Sequence, residues 1–196
     1  MTSVPIDIVL HTPRCFLRAV SEADVQFVWS ATRFTGFNDG MRWEAPSQPE
    51  ELIEVTRRNL GSWKSGEEFS FTVVEKTTGA PVGRASIRKG ACEGVWTFGY
   101  WVHPNHWGKG FAVEAARALI EFGFSQLGAA ELTVGHATWN NQSRRVVEKL
   151  GLRFVRENPC GFMKNGQPVP EYEYVVTRTE RSNNGLQGDA PQAARA

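Results

Sequence analysis

The chain has 196 residues, a formal net charge of +1 and a charged fraction of 22%. These values are typical of a single globular domain, and the balanced charge argues against a nucleic-acid-binding surface. No long apolar segment predicts a signal peptide or a membrane span, and three widely spaced cysteines (Cys15, Cys92 and Cys160) indicate reduced thiols without a metal site, so we expect a cytoplasmic protein.

The N-terminal part of the chain alternates strand and helix patterns. Residues 15–20 are predicted to form a strand, and Ser21 is predicted to cap a helix over residues 22–31. A loop rich in Gly, Pro, Asn and aromatic residues follows. We expect a second helix to begin after this loop, at Ser47 or Gln48.

Three strand-like runs come next, over residues 69–73, 82–88 and 95–102. Consecutive strands with short connections form an antiparallel meander. Gly99 lies inside the third run. A glycine at such a position indicates either a bulge or the close approach of another group to the backbone.

After the meander the hydrophobic period changes from that of strands to that of helices. The spacing predicts a helix over residues 111–127 and then a strand over residues 132–138. Asn140 is a plausible N-cap for a short helix that ends at Gly151. Two closing strands are expected, over residues 152–156 and 172–178. This order predicts an α+β domain with a mixed sheet.

The composition changes near the C-terminus. From about Ser182 the chain contains one large apolar residue, Leu186, and therefore too little apolar surface to offset its own ordering entropy. We therefore expect a single folded domain over residues 1–181 and a disordered tail over residues 182–196.

A glycine-rich turn lies between the third strand and the next helix, in residues 107–112. Two glycines there leave backbone N–H groups unobstructed, and with the positive end of the helix these groups can hold a phosphate. A single Gly-x-Gly most often serves only a tight turn. The segment matches neither a Walker loop nor a dinucleotide-binding fingerprint.

Two longer segments resemble motifs of one enzyme family. Residues 99–104 and 107–115 resemble the acyl-CoA motif of the GNAT acetyltransferases, and residues 140–152 (Asn-Asn-Gln-Ser…Glu-Lys-Leu-Gly-Leu) resemble the second motif of that superfamily. Residues 14–18 resemble the opening of its RimJ/RimL-like branch. The resemblance implies the GNAT fold: a mostly antiparallel sheet with a splayed parallel strand pair, flanked by helices, with pantetheine in the gap.

The resemblance also implies an activity. This activity is N-acetyl transfer, in which the acetyl group passes directly from acetyl-CoA to a primary amine. No metal, nucleic acid or membrane partner is expected. The acceptor is a protein N-terminal α-amine or a small amine such as a metabolite or antibiotic. The alternatives are a non-catalytic acyl-CoA-binding sensor and an acyltransferase with another acyl-CoA donor. The protein is expected to be a monomer or a homodimer, since exposed edge strands permit pairing.

The same resemblance assigns site residues. Asn140 would bond the pantetheine arm, and Ser143 would protonate the departing thiolate. Both residues also suit plain helix capping, a role that does not exclude the catalytic one. Pantetheine would pair with Tyr100, Trp101 and Val102, and pyrophosphate would bind the backbone of Trp107, Gly108, Lys109, Gly110, Phe111 and Ala112.

The identity of the base is open. The carboxylate that many family members carry before the third-strand glycine is replaced here by Thr97-Phe98. We expect water to accept the amine proton, with His136 a less favoured candidate, and the missing carboxylate favours a weakly basic α-amine. Aromatic residues that could line an acceptor cleft are Phe37, Trp43 and Trp139.

Overall fold

The computed structural model describes residues 4–183 and contains one eight-stranded sheet with the strand order β1-β2-β3-β4-β5-β6-β8-β7. The strands are β1 (Val9–His11), β2 (Cys15–Ala19), β3 (Glu68–Glu75), β4 (Pro81–Lys89), β5 (Val95–Val102), β6 (Glu131–Ala137), β7 (Arg153–Lys164) and β8 (Gln167–Thr177). The helices are α1 (Val25–Thr32), α2 (Glu51–Ser65), α3 (Phe111–Ser125), α4 (Asn141–Lys149) and α5 (Arg178–Asn183). All neighbouring strands are antiparallel except β5 and β6. The predicted mixed sheet with one parallel pair is therefore confirmed.

Helices cover both faces of the sheet. The apolar side of α3 packs on one face, where the ring centroids of Phe122 and Phe71 are 5.6 Å apart. On the other face a smaller cluster joins Val28 of α1 and Leu52 of α2 to Trp101 of β5. None of the helices within residues 4–183 is long and apolar enough to cross a membrane.

The parallel pair is short. β5 and β6 are paired only from Val95–Thr97 to Glu131–Thr133, where the Thr97 and Thr133 hydroxyl oxygens are 2.8 Å apart. β5 continues to Val102 and β6 to Ala137 without further pairing between them. The two strands therefore splay, and a gap opens in the middle of the sheet.

Several element boundaries differ from the sequence-based predictions. The helix predicted over residues 22–31 begins as a 3₁₀ turn capped by Ser21 and becomes α-helical at Val25. The helix predicted to begin at Ser47 or Gln48 begins at Glu51, because three successive i→i+3 bonds between Gln48 and Ile53 form turns first. The bulge that was one alternative at Gly99 is absent, since β4 and β5 pair in regular register through that position.

The C-terminal part is more extended than predicted. β7 and β8 form a long hairpin around the turn Asn165-Gly166, where both φ angles are positive (+49° and +74°). Helix α5 runs to Asn183, two residues beyond the predicted end of the domain. The rest of the predicted tail lies outside the described residues.

A buried carboxylate connects the start of α1 to the sheet. The side chain of Asp24 is 3% exposed and accepts hydrogen bonds from the Arg18 guanidinium (2.6 and 3.0 Å), the Thr72 hydroxyl (2.7 Å) and the Ser21 N–H (3.0 Å). Burial alone would raise the pKa of this carboxyl. The hydrogen bonds from Arg18 and Thr72 and the charge of Arg18 outweigh burial, so the pKa lies below its usual value.

Asp24→Asn is expected to lower the free energy of unfolding by about 2–4 kcal/mol, because the Arg18 charge loses its buried partner. The pKa is lower in the folded protein than in the unfolded chain, so the carboxylate stabilises the fold above about pH 5 and loses this effect as the pH falls through the folded pKa. Urea denaturation should therefore show a difference between wild type and variant that shrinks on acidification. The exposed Asp7→Asn is the control, and an equal loss in both variants would contradict the assignment.

Candidate active site

The edge of β5 that faces the gap carries free backbone groups. The His103 N–H donates to the Val82 carbonyl on the β4 side (2.9 Å). Because hydrogen-bonded positions alternate along an antiparallel strand, the backbone groups of Tyr100 and Val102 point to the opposite, gap side. The Trp107 indole N–H donates to the Val102 carbonyl (2.7 Å). The Val102 carbonyl is thus occupied, and the other backbone groups of this edge, among them the Val102 N–H, can pair with an extended ligand in the gap.

The turn between β5 and α3 contains two glycines with positive φ, +76° at Gly108 and +85° at Gly110. Gly110 is the N-cap of α3 and offers no side-chain acceptor to the first N–H groups of the helix. A Cβ added at Gly108 would meet no described atom within 4 Å. Open N–H groups at the positive end of a helix form the type of site that binds phosphate.

Glu114 fixes this turn against the N-terminal segment. Its carboxylate accepts hydrogen bonds from the Thr12 hydroxyl (2.5 Å) and the Arg14 N–H (2.7 Å) and forms an ion pair with the Arg14 guanidinium (2.8 Å). Arg14 in turn donates to the Lys109 carbonyl (2.9 Å). Burial opposes ionisation of Glu114, but the hydrogen bonds from Thr12 and Arg14 outweigh it and lower the pKa. The carboxylate is thus charged at neutral pH and holds the turn in place.

On the other side of the gap, Asn140 is the N-cap of α4, as predicted. Its side-chain oxygen accepts a hydrogen bond from the Ser143 N–H (3.1 Å). Its amide nitrogen lies against Gly40, where an added Cβ would be 2.8 Å away. Ser143 is in the first turn of α4, so its hydroxyl lies at the positive end of that helix.

Two polar atoms in the gap are buried without a hydrogen-bond partner among residues 4–183: the Tyr100 hydroxyl and His136 Nε2. Burial raises the pKa of Tyr100 well above its usual value, and the neighbouring Ser143 side chain offsets this only in part. His136 Nδ1 lies 2.9 Å from the Ala137 carbonyl, which can only accept. Nδ1 therefore donates to this carbonyl, and in the neutral ring the lone pair is on Nε2.

Two clefts meet at this point. The larger, of about 520 Å³, lies between the sheet and helices α1 and α2, and the smaller, of about 430 Å³, lies between the glycine turn and α4. Each is large enough to hold part of a substrate. The residues that line both clefts are Gly40, Met41, Tyr100, Trp101, Asn140 and Ser143.

The three aromatic residues predicted to line one acceptor cleft are distributed over the two clefts, although the Phe37 and Trp43 rings are in edge-on contact with 6.3 Å between centroids. Trp43 lines the larger cleft. Phe37 lines the smaller cleft, where its ring packs edge-on against Trp101 with 5.3 Å between centroids. Trp139 also lines the smaller cleft and is 51% exposed.

The residues predicted to hold the coenzyme differ in whether their side chains can reach a ligand in the smaller cleft. Trp107 and Ala112 line the smaller cleft, and Lys109 is exposed beside it. The Phe111 side chain is 3% exposed within the core and therefore offers only its backbone to a ligand.

The sequence analysis missed several charged residues that line the larger cleft, among them Arg42, Arg84 and Glu171. Glu171 of β8 is 2% exposed, lies over Gly135 and forms an ion pair with Arg42 (2.5 Å). Arg84 of β4 lines the same cleft. Side chains alternate along β4, so Arg84 and Ser86 share the face opposite Ala85. This alternation could have identified Arg84 from the sequence. Glu171 had no comparable signal, because its neighbours come from distant segments.

The comparisons with known proteins agree with one another. A family model described as an acetyltransferase (GNAT) domain matches residues 14–153. The chain is 30% identical over 175 residues to the protein YkkB of Bacillus subtilis, a match that covers 84% of this chain and 94% of that protein.

Solved structures are similar in fold. A RimL ribosomal L7/L12 α-N-protein acetyltransferase in complex with coenzyme A superposes with a TM-score of 0.79 at 14% identity, covering 88% of this chain and 99% of the other. A spermidine N-acetyltransferase from Vibrio cholerae, in complex with coenzyme A and spermine, gives a TM-score of 0.74 at 18% identity, covering 87% and 99%. At these identities the similarity shows the fold alone.

Proposed function

The chain belongs to the GNAT acetyltransferase family, and from this membership we propose that it transfers acetyl directly from acetyl-CoA to a primary amine while both substrates are bound. One observation carries the proposal: the two clefts meet where Tyr100, Asn140 and Ser143 line both of them. A donor in the smaller cleft and an acceptor in the larger one would react at this junction, without an acyl-enzyme.

The smaller cleft suits coenzyme A. The open N–H groups after Gly108 and Gly110 can hold its pyrophosphate. The free backbone edge at Tyr100 and Val102 can pair with the amide groups of pantetheine, as an added strand would. This pairing would place the thioester in the gap, near Ser143.

The proposed chemistry needs little more than positioning. The amine nitrogen forms a bond to the thioester carbon, the carbon–sulfur bond breaks, the amine loses one proton and the thiolate gains one. The Val102 N–H, on the gap edge of β5, would stabilise the negative charge that develops on the carbonyl oxygen. Ser143 would supply the thiolate proton, and Asn140 would hold the donor in place.

The proton that leaves the amine has two routes. Water can enter the larger cleft, and His136, which lines that cleft, has a buried Nε2 atom without a hydrogen-bond partner among the described residues. An α-amine has a pKa near 8 and needs little assistance, whereas a lysine side chain, near 10.4, needs a stronger base. We therefore favour a weakly basic acceptor, either a protein N-terminal amine or a small α-amine.

Release of free thiol from acetyl-CoA tests this function. The panel should contain free amino acids, their amides, N-terminal peptides and spermidine, and coenzyme A binding should be measured in parallel. Amine-dependent thiol release, with the acetylated amine found by mass spectrometry, is the expected result. Tight coenzyme A binding without release for any amine would contradict catalysis and leave a sensor. Faster release with succinyl-CoA would indicate another donor.

A further inference from the structure

Arg84 is a partly buried arginine that lines the larger cleft, and two of its guanidinium nitrogens have no hydrogen-bond partner among the described residues. Its Nε and Nη2 atoms are inaccessible to solvent and form no hydrogen bond within residues 4–183. It lines the cleft together with Ser86 and Trp101. A buried polar atom without a hydrogen-bond partner is destabilising, so its presence calls for an explanation, and a ligand that completes it is one such explanation.

The nearest carboxylate does not complete Arg84. Asp24 attracts the guanidinium electrostatically, but its hydrogen bonds go to Arg18, Thr72 and Ser21. Arg18 also repels Arg84. Burial lowers the pKa of Arg84 to about 10, so the side chain still carries its charge at neutral pH.

The carboxylates that line the cleft have partners of their own. Glu171 is paired with Arg42 (2.5 Å), and Glu44 is paired with Lys164 (3.1 Å). Glu68 accepts a hydrogen bond from the Ser70 hydroxyl (2.9 Å). Glu51 accepts a hydrogen bond from the Ser47 hydroxyl. None of these four carboxylates is hydrogen-bonded to Arg84, and beside it the charges of Arg18 and Asp24 offset each other, so the charge of Arg84 is not neutralised locally.

The position of Arg84 relates this charge to the reacting atoms. Arg84 is paired with Trp101 of β5, the strand whose other edge borders the gap. Neighbouring strands are about 4.8 Å apart, so a small molecule can span the distance from Arg84 to the gap. Gly99 and Ser86 leave the floor between them open, because a Cβ at Gly99 would meet only Ser86 Oγ, at 4.0 Å.

We propose that the acceptor carries a carboxylate as well as its amine, and that Arg84 binds this carboxylate. The planar guanidinium fits a carboxylate through two parallel hydrogen bonds. The acceptor is then a free amino acid or a similar amino-carboxylate. A polyamine would bring a second cation close to Arg84 and is disfavoured. This inference rests on the proposed acetyl transfer and assigns the chemical class of its acceptor.

The test compares matched acceptors in wild type and variants. For each of the twenty amino acids and its amide, kcat/KM is measured by thiol release. The amine of the acid is more basic than that of the amide, so the acid-to-amide ratio is compared between wild type and variant, where this difference in reactivity cancels. We expect Arg84→Gln to lower this ratio at least tenfold by raising KM for the acids, with little change for the amides. Arg117→Gln, exposed on α3 and lining neither cleft, should leave the ratio unchanged.

Other results would overturn the inference and leave the proposed function intact. These are an unchanged ratio in Arg84→Gln, or acetylation of peptides or spermidine in clear preference to every amino acid. Absence of thiol release with any amine would instead refute the proposed function itself.

Thermal unfolding gives a readout that does not depend on activity. If Arg84 is kept for a ligand, Arg84→Met removes two buried nitrogens without hydrogen-bond partners and should leave Tm unchanged or raise it. A fall of more than about 5 °C would show that the guanidinium supports the fold, and would overturn the inference.

Discussion

Replacing Gly110 by valine is expected to weaken coenzyme A binding at least tenfold while the domain remains folded. Gly110 has φ +85° and lies at the N-terminus of α3, where a β-branched side chain is strained and would cover the open N–H groups. An added Cβ would also come within 3.3 Å of the Arg14 guanidinium, which holds the Lys109 carbonyl. The turn would therefore shift as well as be blocked.

Isothermal calorimetry with coenzyme A measures this effect, and circular dichroism checks the fold. Gly128→Val is the matched control, because Gly128 also has a positive φ (+67°) and open space around it but lies beyond the other end of α3. Both variants should lose similar stability, and only Gly110→Val should lose affinity. Equal affinity for coenzyme A in the two folded variants would show that phosphate binds elsewhere.

The parts of the site that could be predicted from the sequence are those built by local chemistry. Two such signals are a pair of glycines before an apolar helix and an asparagine before a short helix, and each lies within a few residues. The structure has Gly110 at the start of α3 and Asn140 at the start of α4. The splay of the parallel strand pair could be predicted only from the family resemblance, because no local sequence pattern indicates where the pairing of two parallel strands ends.

The parts that were missed depend on distant residues or on signals given too little weight. β1 has three residues, too few for a period to show. Asn165-Gly166 is a strong hairpin signal that predicts longer strands around it. The ion pair of Arg42 with Glu171 joins residues 129 positions apart, and only the folded sheet brings them together.

Ser143→Ala is expected to lower kcat at least about tenfold with little change in the KM for acetyl-CoA, since assistance by one acid or base is typically worth 10²–10⁴-fold. The hydroxyl belongs to the first turn of α4, where the helix N-terminus would stabilise a departing thiolate in the proposed reaction. Under the proposed binding mode, the coenzyme would be held mainly by the glycine turn and the β5 edge, which the substitution does not touch. Ser125→Ala, near the end of α3, is the control.

The structure adds a rival for this role, the Tyr100 phenol. It is buried beside Ser143, and its raised pKa keeps it protonated at neutral pH. Tyr100→Phe removes only the hydroxyl and so separates the two candidates. If Ser143→Ala retains full kcat and Tyr100→Phe loses it, the phenol is the acid. If Ser143 is the acid, Tyr100→Phe should change kcat less than Ser143→Ala does.

The base is tested with the same kinetics across about pH 6 to 9. We expect His136→Ala to reduce the rate less than Ser143→Ala, because a weakly basic amine can lose its proton to water in the open cleft. The free Nε2 lone pair makes the opposite result chemically reasonable. Loss of the pH dependence of kcat/KM in His136→Ala, with Ser143→Ala at full rate, would make the histidine the base and remove Ser143 from the reaction.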